Sequence, residues 1–106
     1  MVMTKRKALL QVIDALHDEI SALKTNNVAA LERATARKLA GIEAIAAAGT
    51  GPVGAELRDL ADEANRLNET CRIYANLMAA NVRRRLQTLT GDAGVAGYRP
   101  TVRAYA

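Results

Sequence analysis

The sequence has no phenylalanine or tryptophan, and its only aromatic side chains are three tyrosines. Alanine instead fills 22 of the 106 positions. Because a buried alanine removes little apolar area from water, we expect a thin core and an isolated protein of modest stability. The same composition favours helices, since alanine has the highest helix propensity.

Cysteine and histidine occur once each, as Cys71 and His17. A single cysteine cannot form an internal disulfide, which fits a reducing compartment, so the expected location is the cytoplasm. A zinc site needs about three or four protein ligands, and the chain offers too few nitrogen and sulfur groups for one. We therefore predict no metal, no cofactor and no catalytic residue, and do not expect an enzyme.

Long apolar runs are also missing. No stretch approaches the about 20 apolar residues of a membrane span, so membrane insertion is not expected.

The net charge is +4, and Arg83-Arg84-Arg85 is the sharpest basic run. Consecutive arginines spread around a helix, and nucleic-acid binding needs a broader basic surface or stacking aromatics. We do not expect a nucleic-acid partner. Acids early and arginines late in the last helical run match the helix macrodipole.

The sequence contains three runs that are predicted to be helical, from Thr4 to Lys24, from Val28 to about Ala47, and from Ala55 to about Thr90. Glycine and proline in 49–54 separate the second run from the third. Apolar residues of each run recur at the three-four spacing of a coiled coil. The members of the third run, which we call the long-helix seam, are Leu57, Leu60, Ala64, Leu67, Cys71, Tyr74 and Met78, with Asn81 as an extension. Residues 1–90 are predicted to form one helical domain and 91–106 a flexible tail.

The packing of the runs depends on Thr25-Asn26-Asn27, which has the composition of a cap and turn. The favoured arrangement is an all-α, elongated antiparallel hairpin whose first arm is kinked or broken near Asn26-Asn27, since the first two runs together match the third in length. The alternative is a three-helix bundle in which the chain folds back at the asparagines. A two-helix hairpin alone buries little surface, so homo-oligomerisation is a further possibility.

Four features of the sequence occur together: the Asn65-x-x-Asn68 pair in a long leucine-rich helix, the leucine and arginine run 77–89, the glycine-rich sequence that ends at Tyr98, and segment 28–39. Together they resemble the FlgN family of flagellar export chaperones. The resemblance implies a non-enzymatic cytoplasmic chaperone. Such a protein binds the C-terminal helix of hook-filament junction subunits and delivers them to the type III export gate.

The resemblance and the seam together give the predicted partner sites. A client helix would lie in the groove along the long-helix seam. The predicted cargo-binding residues are Leu60, Ala64, Asn65, Leu67, Asn68, Tyr74, Leu77, Met78 and Asn81. The resemblance assigns export-gate contact to Tyr98. The competing prediction is a structural coiled-coil protein that only self-associates.

Overall fold

The structure is a computed structural model that describes residues 4–49, 51 and 53–90. It contains α1 (Lys5–Lys24), α2 (Val28–Ala47) and α3 (Ala55–Thr90), and these described ranges hold no strand. The all-α prediction is confirmed, and the predicted helix limits agree with the observed ones to within a residue. None of these helices is both long and apolar enough to cross a membrane. The predicted tail, 91–106, lies outside the described residues.

The α1–α2 connection is a tight reversal built by two asparagines. Asn26 has a φ of 56°, in the left-handed region that asparagine tolerates better than most residues. The Asn27 N–H donates to the Ala22 carbonyl at 2.9 Å and the Asn26 N–H to the Leu23 carbonyl at 3.4 Å, which is the Schellman pattern of a helix end. The Asn27 side chain then caps α2 by accepting from the Ala30 N–H at 3.0 Å.

This reversal sends α2 back along α1 in the antiparallel direction. Arg37 contacts Asp14 and Asp18 at 2.5 and 2.6 Å, and residues further along α2 lie against earlier residues of α1. Of the two arrangements that the sequence left open, the contacts therefore select the fold-back bundle. The break at the asparagines is confirmed, but the continuous kinked first arm is not observed. The comparison of helix lengths took no account of the left-handed conformation of Asn26, which ends α1.

The part of α3 that ends at Tyr74 lies along α1 in the parallel direction. Arg6 Nε is 2.9 Å from Glu56 Oε2, Cys71 Sγ lies 3.6 Å from the Leu16 carbonyl oxygen, and the Lys24 ammonium is 5.5 Å from the Tyr74 ring centre. These pairs advance together along both helices. The chain divides after Tyr74 into two compact units, Met1–Tyr74 and Ala75–Ala106.

The core of the first unit belongs mainly to α1. The buried apolar side chains are Ala8, Val12, Ile13, Ala15, Leu16, Ala22 and Leu23 from α1, Ala34 from α2 and Cys71 from α3. Four of these nine are alanines, so the thin core expected from the composition is observed. Each alanine contributes less apolar burial than a leucine would, so the helices must lie close together for alanine side chains to be buried between them.

The closest approach of α1 and α2 is at Gly41. A Cβ added there would stand 2.7 Å from Val12 Cγ2 and 3.2 Å from the Ala8 carbonyl oxygen. A carbonyl oxygen cannot rotate away, and a valine on a helix is stiff at χ1. Gly41 is therefore required by close helix packing rather than by a turn.

Gly41→Ala should lower the free energy of unfolding by about 1 kcal/mol, measured by urea denaturation followed by circular dichroism. Overpacking costs about 1–3 kcal/mol, and the better helix propensity of alanine offsets up to about 1 kcal/mol of this. Gly51→Ala is the matched control, because nothing lies within 4 Å of a Cβ at that position. A Gly41→Ala variant at least as stable as the parent would contradict the close approach.

Candidate functional site

The long-helix seam faces α1 within the first unit. Cys71 is buried, and the seam residues before it are half-buried. Tyr74 is also half-buried and lies under the Lys24 ammonium. This part of the seam is therefore occupied within the molecule. Among the predicted cargo-binding residues, the half-buried members of the first unit are Leu60, Ala64, Leu67 and Tyr74.

The predicted asparagine pair, Asn65 and Asn68, is exposed on α3. In the second unit the structure places Leu77 and Asn81 on the surface and leaves Met78 half-buried. Asn81 Oδ1 accepts from Arg84 Nη2 at 2.5 Å, so this amide pairs within its own helix. Tyr98 lies outside the described residues.

Residues 75–90 of the second unit carry a row of exposed or half-buried apolar side chains that we call the 75–90 stripe. Its members are Met78, Val82, Leu86 and Leu89, spaced 4, 4 and 3 residues apart. This spacing places them on one side of a helix. Val82 is 49% exposed, Leu86 55% and Leu89 77%, whereas a leucine in the core such as Leu16 is 1% exposed. The described residues of this unit therefore present apolar surface to solvent.

The polar side of the same segment is basic. Residues 75–90 contain three arginines and no acid. Arg85 lies three residues after Val82 and four before Leu89, so it borders the 75–90 stripe on one side. Arg83 lies three residues before Leu86 and borders the other side. None of the ion pairs among the described residues includes either of these arginines.

α2 presents a second apolar surface. The three-four spacing of its apolar residues predicts that they face the other helices, but Val28, Leu39 and Ile42 are 61, 53 and 46% exposed. The buried positions of α2 are Ala34 and Gly41. Because α1 and α2 approach closely at Gly41, only small residues are fully buried on α2, while Leu31 and Ile45 are half-buried and Val28, Leu39 and Ile42 lie on the surface.

A buried polar cluster joins α1 to α2. Glu19 is only 4% exposed, whereas glutamates lie mostly on protein surfaces. Its carboxylate accepts from Thr35 Oγ1 at 2.7 Å and from Lys38 Nζ at 3.1–3.2 Å. A buried carboxylate without such partners would be strongly unfavourable. The cluster (Glu19, Thr35 and Lys38) therefore fixes how the two helices align.

The Cys71 thiol lies beside this cluster and is poorly suited to nucleophilic chemistry. Burial, with the Glu19 carboxylate as the second cause, raises the pKa of Cys71 from 9.0 to about 11. The thiol is accordingly protonated near neutral pH, whereas reactive cysteines have lowered pKa values. His17 is exposed. Within the described ranges, no group of three or more His, Cys, Asp or Glu side chains is arranged to hold a metal ion.

No family model, curated protein or solved structure matches the chain. The resemblance to the flagellar export chaperones therefore depends on the residues quoted above.

Two features of the site were missed from the sequence, although each leaves a signal there. Val82, Leu86 and Leu89 continue the periodic pattern from Met78, but the prediction followed Asn81 instead. Glu19 lies three residues after Leu16 and four before Leu23, which is the spacing of the α1 core residues. A charged residue in phase with a core stripe indicates a buried pair, and the basic partner follows across the asparagine turn.

Lys38→Met should destabilise the protein by about 2–3 kcal/mol, because it leaves the Glu19 carboxylate buried without its cation. The measurement is urea denaturation at pH 7. The double variant Glu19→Leu/Lys38→Met removes both charges and should be closer to the parent than Lys38→Met is. Equal losses in the single and double variants would contradict a coupled buried pair.

Cys71 should react with a disulfide reagent at pH 8 at least ~100-fold more slowly in the native protein than in 6 M urea. A pKa of about 11 against 9.0 leaves ~100-fold less thiolate, and burial blocks access as well. The native thiol stays protonated while the unfolded one ionises, so this group lowers stability as pH rises from 9.0 towards about 11. Equal native and denatured rates would contradict this environment.

Proposed function

We propose that this protein is a non-enzymatic, helix-binding chaperone that holds a client helix against the 75–90 stripe. The observation that carries the proposal is the row of Val82, Leu86 and Leu89, each about half or more exposed. Single exposed leucines are ordinary on protein surfaces, whereas an aligned row is typical of an interaction site. Its spacing suits an amphipathic helix whose own apolar residues repeat at three and four positions.

The size of the stripe supports a releasable complex. Fully burying a valine, leucine or methionine side chain contributes about 1.5–3 kcal/mol. Four partly exposed side chains then contribute several kcal/mol, and association opposes this with about 4 kcal/mol or more. The small surplus favours a weak, releasable complex rather than an obligate one. Moderate affinity fits a chaperone that must hand over its client.

The identity of the client comes from the resemblance described above. The Asn65 and Asn68 pair, the leucine and arginine run and Tyr98 point to hook-filament junction subunits, whose terminal helix is unpaired before assembly. In this proposal the protein works in the cytoplasm, and Tyr98 contacts the flagellar export gate. The client surface is narrower than the whole long-helix seam, because the seam residues of the first unit are buried or half-buried.

The rival function is a structural protein that only self-associates through its exposed faces. The outward Val28, Leu39 and Ile42 of α2 favour it, since they offer further apolar surface. It predicts an oligomer that persists over a wide concentration range in sedimentation. A monomer that binds a client helix would exclude it.

Leu86→Asp should weaken binding to hook-filament junction subunits at least tenfold, measured by titration calorimetry. The charge would enter the centre of the proposed contact. Leu39→Asp is the matched control, because Leu39 is 53% exposed and Leu86 is 55% exposed. Circular dichroism establishes that both variants retain their helices.

Three outcomes would contradict the proposal in different ways. No binding by the parent protein at micromolar concentrations would remove the client assignment. Equal losses in Leu86→Asp and Leu39→Asp would remove the 75–90 stripe as the specific site. A loss in Leu77→Asp with full binding by Leu86→Asp would move the contact to the side of the helix that carries Leu77 and Asn81.

A further inference from the structure

The 75–90 stripe and its arginines point to the chemistry of the client. We infer that the stripe selects an acidic amphipathic helix, with Asp or Glu on both sides of the client's own apolar row. The inference rests on the proposed function and adds a rule for choosing the partner. It uses the charge of the described residues 75–90, which are three arginines without an acid.

The placement of the arginines relative to the stripe carries the argument. Arg85 is a surface neighbour of Val82 and Leu89, and Arg83 is a neighbour of Leu86 on the other side. A helix packed along the stripe therefore has its flanking positions within reach of a guanidinium on each side. These are the positions that decide partner choice in coiled coils. Arg84 differs, because it bonds the Asn81 amide and lies away from the stripe.

Charge and shape also favour an acidic helix over the other candidate partners of the 75–90 stripe. A second copy of this chain packed stripe to stripe would bring four flanking arginines together, Arg83 and Arg85 of each copy, and like charges at neighbouring positions are destabilising. Nucleic acid is disfavoured because Arg83, Arg84 and Arg85 point to different sides of the helix. A lipid surface suits a broad apolar face, whereas this stripe is a narrow row with Leu77 and Asn81 outside it.

The inference can be tested with three synthetic helical peptides that share one leucine row and differ only at the flanking positions. These positions carry Glu in the first peptide, Gln in the second and Lys in the third. Fluorescence anisotropy with the full-length protein should give the tightest binding for the Glu peptide and the weakest for the Lys peptide. We expect about a tenfold step from Glu to Gln, and the step should shrink as salt is raised because exposed ion pairs are screened.

Charge reversal of the protein gives the complementary test. The double variant Arg83→Glu/Arg85→Glu should prefer the Lys peptide over the Glu peptide. Arg58→Glu is the matched control, since Arg58 is an exposed arginine of α3 in the first unit, and it should keep the parent order. Rescue by the Lys peptide is a result that simple unfolding of the variant cannot produce.

Each of the remaining outcomes would contradict either the charge rule or the proposed function. Equal binding of the three peptides would remove the charge rule and leave helix binding in place. Binding of none of them would remove both the rule and the proposed function. Tight binding to phosphatidylglycerol vesicles without binding to the Glu peptide would assign the stripe to a lipid surface and contradict an acidic protein helix.

Discussion

The left-handed backbone at Asn26 is the constraint on which the rest of the first unit depends. It ends α1 in a Schellman motif and leaves Asn27 free to cap α2, so the chain reverses within three residues. The reversal places α2 on one side of α1 and leaves another side of α1 for α3. α1 thus becomes the central helix and supplies seven of the nine buried apolar side chains among the described residues.

A core this small cannot cover every apolar face of three helices. Alanine and glycine mediate the α1–α2 contact, and close packing compensates in part for their small buried area. The charged partners Glu19 and Lys38 then fix the alignment, because two alanine-rich faces alone specify register weakly. Because the core is small, large apolar side chains of α2 and of residues 75–90 remain exposed. Among the described residues, the proposed client surface is therefore apolar surface that the core of the first unit does not use.

Much of the local structure could be predicted from the sequence, and much of the packing could not. The helix limits follow from Thr4, the asparagine pair and the glycines at 49, 51 and 54, which are local signals. The reversal at Asn26 depends on one φ angle that composition does not determine. The outward turn of Leu39 and Ile42 depends on the close approach at Gly41, a contact between residues far apart in sequence. For the site, Leu77, Met78 and Asn81 were predicted, but the exposed row that continues from Met78 was not.

Hydrogen exchange in the presence and absence of the Glu-flanked helical peptide tests the central claim most directly, because it locates the contact along the chain. The account predicts added protection in residues 75–90 and little change in α1 or in the Val28–Ile42 part of α2. Protection that appears in α2 while residues 75–90 remain unchanged would contradict it.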